Sequence, residues 1–187
     1  MKLWLVRHAQ PLIESGICYG QLDVAADAGA SAECARELAA QLPPGIRVIT
    51  SPLQRCEQLA HVLLGLRPDL TCTTDARLAE MDFGEWEGRA WQAIDPAELQ
   101  AWTSDFARYA VGRHGESVRA FMARVGSAFD ALQDQQDPGD TLWITHAGVI
   151  RAVQLLAQGV RQIARADQWP LDAPKYGQWL TLNLNPS

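Results

Sequence analysis

Basic residues are scarce in this sequence, and their scarcity limits the partners it can have. Lysine and arginine together number 16 of 187 residues against 22 acidic ones, which gives a net charge of −6 at pH 7. A broad nucleic-acid or membrane-surface footprint needs clustered basic side chains. We therefore expect neither nucleic acid nor a membrane as a partner. In a chain with so few basic residues, a cluster of two or three arginines requires a specific local function to explain it.

Long apolar runs are also missing, and cysteine is sparse. No stretch approaches the roughly 20 apolar residues of a membrane span, and the few residues before Arg7 are too short for the apolar core of an export signal. The four cysteines, at positions 18, 34, 56 and 72, show no CxxC spacing. The absence of a ligand-like spacing argues against a zinc site. These spacings predict reduced, mostly buried thiols in a cytoplasmic protein.

Short apolar segments of β type alternate with segments of helical periodicity. The patterns predict strands at 3–6, 46–50, 70–74, 141–145 and 178–184, and helices at 29–42, from 51 onward, at 96–109, at about 117–133 and at about 148–157. This alternation predicts an α/β protein, a three-layer α/β/α sandwich with a mostly parallel central sheet and a late edge strand. We expect one domain over 1–187, with the irregular segment 84–115 as a candidate cap.

Local signals place the second helix start and two connections. Ser51 is expected to cap that helix, with Pro52 in its first turn and Gln54 completing a capping box. The glycine-punctuated segment 83–88 predicts a loop, and 137–140 predicts a turn.

Polar side chains follow three of the predicted strands. Arg7 and His8 end the first strand, Arg55 follows the second, and His146 follows the strand at 141–145. In open α/β sheets the ligand site lies beyond the carboxyl ends of the strands. Two histidines and two arginines, from positions about 140 residues apart, are therefore expected to meet in one crevice.

The position of Arg55 indicates what this crevice binds. A cation near a helix start is mildly unfavourable, by roughly 0.3–1 kcal/mol, unless an anion binds there too. Arginine suits forked contact with phosphate oxygens better than lysine does. We predict a phosphoryl group as the ligand; the alternative is an ordinary salt bridge between Arg55 and a carboxylate.

Five motifs, in order, resemble those of the histidine phosphatase superfamily, which has the phosphoglycerate mutase-like fold. They are LVRHAQP, TSPLQRC, RLAEMDFGEWEG, GES and ITHAGVIR, spanning residues 3 to about 155. Chain length and the stretch CYGQLDV look closest to the α-ribazole phosphatase-like members. The resemblance implies a phosphohistidine intermediate and no metal or other cofactor.

Matching the motifs assigns the roles. His8 would be the nucleophile, Arg7, Arg55 and a protonated His146 would hold the phosphoryl oxygens, and Glu80 would be the proton donor. Asp82 is a rival donor, because residues two apart on an extended segment face the same side. The sequence departs from the family pattern at Ala9, Gln10 and Pro11, and it lacks the asparagine often found near positions 13 and 14.

Other motif residues keep two interpretations. Ala147, Glu116 and Ser117, from the last two motifs, would contact phosphate, but Ser117 would equally cap the next helix. The aromatic residues Trp102 and Phe106 have the spacing of a core face, although they would also suit a platform for a flat base.

The expected function is therefore a metal-independent phosphomonoesterase acting on a small-molecule phosphate ester. The resemblance favours α-ribazole 5′-phosphate of cobalamin assembly. The alternatives are another small phosphate ester, protein phosphohistidine, a phosphoglycerate-type mutase reaction, or a non-catalytic phosphate-binding module. The sequence leaves the oligomeric state open.

Overall fold

The computed structural model describes residues 1–134 and 139–184. It has five strands, β1 (Lys2–Arg7), β2 (Arg47–Thr50), β3 (Thr71–Thr74), β4 (Thr141–Thr145) and β5 (Trp179–Asn183). The helices of the described ranges are α1 (Ala28–Gln41), α2 (Gln54–Leu66), α3 (Pro96–Ser104), α4 (Val118–Gln133) and α5 (Ala147–Ala157). Every predicted strand and helix is confirmed, with ends that differ by a few residues. The predicted turn at 137–140 lies partly outside the described residues.

The strands form one sheet in the order β3-β2-β4-β1-β5. The first four are mutually parallel, and β5 pairs antiparallel with β1 at the edge. The mostly parallel sheet and the late edge strand are thus confirmed. Because β1, β2 and β4 run in one direction, their carboxyl ends meet at one edge of the sheet.

Side-chain alternation along the strands builds a core on each face of the sheet. Leu3, Leu5 and Trp143 face α4 and α5 on one side. Val6 and Ile144 face α1 and α2 on the other. Since β4 is buried along its whole length, its sequence is a nearly continuous apolar run, as in strands covered on both faces. The result is the three-layer α/β/α sandwich that the sequence predicts.

The predicted start of the second helix is wrong. The N-cap of α2 is Leu53, which makes no side-chain capping bond. Asp23, from the loop after β1, replaces the expected capping box, because its Oδ1 accepts the Gln54 amide at 2.8 Å. Ser51 lies before the helix, and its hydroxyl serves the site described below.

The third helix is shorter than predicted and ends at Ser104. The Thr103 hydroxyl donates to the carbonyls of Leu99 and Gln100, at 3.1 and 3.0 Å. Hydroxyl side chains that bond the backbone in this way weaken a helix end. Phe106 nevertheless joins the core from the turns that follow.

The segment 84–115 is anchored at both ends. Gly84 and Gly112 have positive φ angles, and a Cβ on Gly84 would lie 2.4 Å from the Gly112 carbonyl oxygen. The buried Trp86 packs against Trp102 of α3 with ring centroids 5.7 Å apart, and its Nε1 donates to Glu98 at 2.6 Å. Whether the segment acts as a cap stays a prediction. In the described ranges no helix is long and apolar enough to cross a membrane.

Candidate active site

The carboxyl ends of three strands bring the four predicted residues together. β1 ends at Arg7 and leads to His8, β4 leads to His146, and β2 leads through a short loop to Arg55 at the start of α2. The two imidazole centroids are 5.2 Å apart. His8 is 2% exposed, and Arg55 and His146 are fully buried. The predicted convergence is confirmed, and three of the four side chains are buried.

The ring of His8 is held in one tautomer. Its Nδ1 lies 2.7 Å from the carbonyl oxygen of Ala9, and because a carbonyl only accepts, Nδ1 must carry the hydrogen. The Nε2 nitrogen therefore has a free lone pair. Burial above all, with the positive charge of Arg55, lowers the pKa of His8 to about 3. The ring is neutral at physiological pH, as a nitrogen nucleophile must be.

Burial favours a neutral His146, whereas the sequence analysis expects a protonated ring, and that expectation stays a prediction. Burial, followed by the positive charge of Arg55, lowers the pKa of His146 well below its usual value. Its Nε2 lies 2.8 Å from the hydroxyl of Ser51, which itself accepts the Leu53 amide at 3.3 Å. The hydroxyl can donate to Nε2, and when it does, the hydrogen of the neutral ring resides on Nδ1. A neutral His146 remains a hydrogen-bond donor toward a ligand.

The two guanidiniums are fixed by backbone carbonyls. Arg55 donates to Leu22 and Gly20 at 2.9 and 2.6 Å, and Arg7 donates to Pro174 at 3.2 Å. In the described part of the chain neither forms a salt bridge. The alternative of a simple Arg55–carboxylate pair is therefore not what the structure contains, and both positive charges remain uncompensated.

Three buried nitrogens of this cluster have no hydrogen-bond partner among the described residues: Arg7 Nε, Arg55 Nε and His146 Nδ1. Leaving such a donor unpaired in the interior costs about 1–3 kcal/mol, more for a charged group. Two guanidinium Nε atoms and an imidazole nitrogen without partners, next to the ring of His8, suit a multivalent anion. This chemistry matches a phosphoryl group.

Two tyrosines complete the site, and the sequence analysis missed both. The Arg7 Cζ lies 3.8 Å from the ring centroid of Tyr176, and the Arg55 Cζ lies 5.2 Å from that of Tyr19. The two hydroxyls are 2.9 Å apart, and burial raises the pKa of Tyr19. No spacing signal links residues from such distant segments, so only folding reveals the pair.

Glu80 lies beside the start of α5. Its carboxylate accepts the Gly148 amide at 3.0 Å and its neighbour Met81's amide at 2.9 Å, next to Ala147 in the first turn of that helix. The carboxylate of Asp82 accepts the amide of Gly84 at 2.8 Å and so serves its own turn. The structure therefore places Glu80, and not Asp82, as the carboxyl group bonded to the first turn of α5, two residues after His146.

Glu116 and Ser117 have other partners. The Ser117 hydroxyl caps α4 by accepting the Ala120 amide at 3.2 Å, as the capping interpretation predicts. The Glu116 carboxylate pairs with Arg124 at 2.7 Å, and Arg124 donates to the carbonyl of Glu80 at 3.2 Å. Neither side chain bonds a histidine or arginine of the cluster in the described ranges. Glu116 instead supports the segment that carries Glu80.

Of the three residues that depart from the family pattern, Ala9 and Pro11 pack into the fold, whereas Gln10 is exposed. Ala9 is buried, and Pro11 forms an antiparallel bridge with Ala26. As for metal donors, residues 1–134 and 139–184 contain no group of three histidine, cysteine, aspartate or glutamate side chains placed to share an ion.

Comparison with known proteins identifies the class. The sequence profile of the histidine phosphatase superfamily (branch 1) matches residues 3–177. The chain belongs to this superfamily, and it is an enzyme of the phosphoric monoester hydrolase class.

Particular relatives are moderately similar to the chain over most of its length. The adenosylcobalamin/alpha-ribazole phosphatase of Escherichia coli (strain K12) is 29% identical over 192 residues, covering 99% of this chain and 91% of the relative. The glucosyl-3-phosphoglycerate phosphatase of Mycolicibacterium vanbaalenii is 29% identical over 184 residues, covering 91% and 78%. The crystal structure of the alpha-ribazole phosphatase from Shigella flexneri superposes with a TM-score of 0.82 at 25% identity, covering 99% and 91%.

Proposed function

We propose that this enzyme hydrolyses a small-molecule phosphate monoester through a phosphohistidine on His8, without a metal ion. The observation that carries the proposal is the set of three unpartnered buried nitrogens, on Arg7, Arg55 and His146, beside a neutral His8. Hydrolysis of a phosphate ester requires an in-line nucleophile, compensation of the oxyanion charge and a proton for the leaving alkoxide. Protein groups of this site can supply each of the three.

In the first step the Nε2 lone pair of His8 attacks phosphorus. The new N–P bond forms as the P–O bond to the leaving oxygen breaks. The leaving oxygen keeps the electron pair of that bond and receives a proton from Glu80. The hydrogen bond from His8 Nδ1 to the Ala9 carbonyl, 2.7 Å long, stabilises the positive charge that develops on the ring.

Three nitrogen donors compensate the charge on the phosphoryl oxygens. The Nε atoms of Arg7 and Arg55 and the Nδ1 of His146 would each donate to an oxygen. Because the donors are already oriented by carbonyls and by Ser51, little reorganisation is needed at the moment of reaction. Preorganised donors in a buried site contribute about 3–4 kcal/mol each in other enzymes.

In the second step water attacks the phosphohistidine. Glu80, now a carboxylate, takes a proton from the water, the N–P bond breaks, and its electron pair returns to Nε2 of His8. Inorganic phosphate leaves and the starting protonation state is restored. Two backbone amides orient the Glu80 carboxyl group for both transfers.

The names of the relatives support α-ribazole 5′-phosphate as the substrate, since both an Escherichia coli and a Shigella flexneri relative are alpha-ribazole phosphatases. The glucosyl-3-phosphoglycerate phosphatase relative supports another small phosphate ester as the second candidate. We place the enzyme among intracellular small-molecule phosphatases on these grounds.

A chromogenic phosphate assay with and without a chelator tests the proposal. Wild type should be active in both conditions, and His8→Ala should lose at least about a thousandfold in kcat, as removal of a covalent nucleophile does. His61→Ala is the matched control, because His61 is an exposed histidine on α2. Activity that returns only on addition of a metal ion, or that survives His8→Ala, would contradict the mechanism.

The substrate is assigned by comparing kcat/KM over a panel. The panel contains α-ribazole 5′-phosphate, glucosyl-3-phosphoglycerate, 3-phosphoglycerate and a phosphohistidine peptide. A higher kcat/KM for α-ribazole 5′-phosphate than for the other three is the expected result. A preference for any other member replaces that assignment without affecting the mechanism.

A further inference from the structure

The proposed proton donor is carried by a segment without regular secondary structure. In the described part of the chain, residues 79–83 lie outside every helix and strand, so no ladder of backbone bonds fixes them. The Glu80 carboxyl group reaches the first turn of α5 through the bond from the Gly148 amide, 3.0 Å long. Because catalytic geometry is sensitive to shifts of about 1 Å, the contacts that hold this segment decide where the carboxyl group lies.

Arg124, on α4, binds the segment by three of its backbone carbonyls. Its Nη1 donates to the carbonyls of Arg77 and Ala79 at 2.8 and 2.9 Å, and its Nη2 donates to that of Glu80 at 3.2 Å. Its Nε and Nη2 donate to the two carboxylate oxygens of Glu116 at 2.8 and 2.7 Å. A guanidinium has five N–H groups in a planar fork, and these five bonds engage each of them.

Glu116 binds the same segment and orients the guanidinium. Its Oε2 accepts the Asp82 amide at 3.1 Å, and its own amide donates to the Asp82 carbonyl at 2.8 Å. The side chains of Arg124 and Glu116 are 20% and 19% exposed. A forked arginine–carboxylate pair fixes geometry as well as charge, and its partial burial limits screening by salt. The pair therefore holds the chain on both sides of Glu80.

The Glu80 carbonyl also joins Arg124 to the phosphate-binding part of the site. It accepts a second bond from the Gln21 Nε2 at 3.0 Å, and the carbonyls of the two chain neighbours of Gln21 hold the Arg55 guanidinium. Arg124 therefore fixes the proton donor relative to a group that would bind phosphate. A lysine could not replace it, because an ammonium has three donors and no planar fork.

We propose that Arg124, oriented by Glu116, is a positioning residue for the proton donor. It fixes the backbone at Glu80 so that the carboxyl group is placed to protonate the leaving oxygen, and it takes no part in the chemistry itself. This inference rests on the proposed function, because it takes Glu80 as the proton donor. It adds the residues that place the donor, and it gives the GES motif, of which Glu116 is part, a role in proton transfer.

A positioning role makes the effect of Arg124 depend on the leaving group. The test compares kcat/KM for ethyl phosphate, whose alkoxide needs a proton, with kcat/KM for nitrophenyl phosphate, whose leaving group needs none. In Arg124→Gln the ethyl-to-nitrophenyl ratio should fall about tenfold or more. In Arg124→Lys it should also fall, because the charge remains but the fork is lost. A merely structural residue would lower both values alike and leave the ratio unchanged.

Glu116→Gln keeps the test open if the Arg124 variants fail to fold. The amide has the same shape, but it has one acceptor oxygen and cannot accept both guanidinium bonds, so the ratio should fall by a smaller factor. The double variant Arg124→Gln/Glu116→Gln should fall no further than Arg124→Gln alone, since the two residues act as one pair. The control is Arg119→Gln, at an exposed arginine of the same helix, which should keep the wild-type ratio.

Glu80→Gln, measured in parallel, separates the two possible failures. If Glu80→Gln lowers the ratio while the single variants of Arg124 and Glu116 keep the wild-type value, the positioning inference is overturned and the proposed function stands. An equal fall in Arg119→Gln, or additive effects in the double variant, overturns the inference as well. If Glu80→Gln itself leaves the ratio unchanged, Glu80 is not the proton donor and the proposed mechanism fails.

Discussion

Gly148→Ala is the substitution that most sharply probes the proton donor. A Cβ at position 148 would lie 2.2 Å from Glu80 Oε1, 3.0 Å from its Cδ and 3.2 Å from its Oε2. Carbon atoms in ordinary contact are about 3.5–4.0 Å apart, so the carboxyl group must move by about 1 Å. The backbone changes little, because alanine is favoured over glycine within a helix by roughly 0.5–1 kcal/mol.

The kinetic cost follows from that displacement. General acid catalysis contributes about 10²–10⁴ in rate, and a shift of about 1 Å can cost about 10²-fold. We therefore expect kcat/KM for an alkyl phosphate, which reports only the steps up to release of the alcohol, to fall by about 10²–10⁴, or roughly 3–5 kcal/mol in the activation free energy. A nitrophenyl phosphate, whose leaving group needs no proton, should lose less than about tenfold.

The assay compares the two esters in wild type, Gly148→Ala and Gly65→Ala. Gly65 is a glycine of α2, and a Cβ added to it would meet no heavy atom within 4 Å, so its alanine variant should keep full activity on both esters. Thermal unfolding verifies that each variant folds. Equal losses in kcat/KM on the alkyl and nitrophenyl esters, or an unchanged kcat/KM of Gly148→Ala on the alkyl ester, would refute Glu80 as the general acid.

Three further predictions concern the buried cluster. Because the pKa of His8 is about 3 in the folded chain and about 6.5 in the unfolded chain, the unfolded state binds the proton between these values. The free energy of unfolding should therefore fall as pH drops from 6.5 toward 3, by as much as about 5 kcal/mol. Measured by chemical unfolding, it should depend less steeply on pH in His8→Asn than in the control His61→Asn. An equal pH dependence in the two variants would contradict the prediction. KM should rise by about 2- to 10-fold in Tyr19→Phe, in Tyr176→Phe and in the double variant. The effects should not add, because each substitution removes the same hydrogen bond. Additive effects in this double-mutant cycle would disprove the coupling. Arg55→Lys should lower kcat/KM at least about 100-fold, since a single ammonium cannot reproduce the planar fork that bonds Gly20 and Leu22 and leaves Nε for phosphate. Retention of activity would show that charge alone suffices.

Periodicity and strand-end polarity were sufficient to predict the sheet and the cluster. Apolar runs such as 141–145 carry a local signal, and parallel strands place their carboxyl ends at one edge whatever the loops do. For this reason Arg7, His8, Arg55 and His146 could be grouped from sequence, and the structure brings them together.

Features that depend on long-range partners could not be predicted in this way. The cap of α2 comes from Asp23 rather than Ser51, because a neighbouring loop competes with the local motif. Tyr19 and Tyr176 meet across a sequence separation of 157 residues, for which no pattern exists. The protonation state of His146 depends on burial and on Arg55, and both are properties of the fold.

Trapping of the covalent intermediate tests the central claim most directly. Wild type mixed rapidly with an aryl phosphate and quenched in alkali should carry one phosphoryl group, located by peptide mass spectrometry on His8 and lost on acid treatment. The His8→Ala variant, quenched in the same way, should carry none. A phosphoryl group on another residue, or its persistence in His8→Ala, would contradict the account.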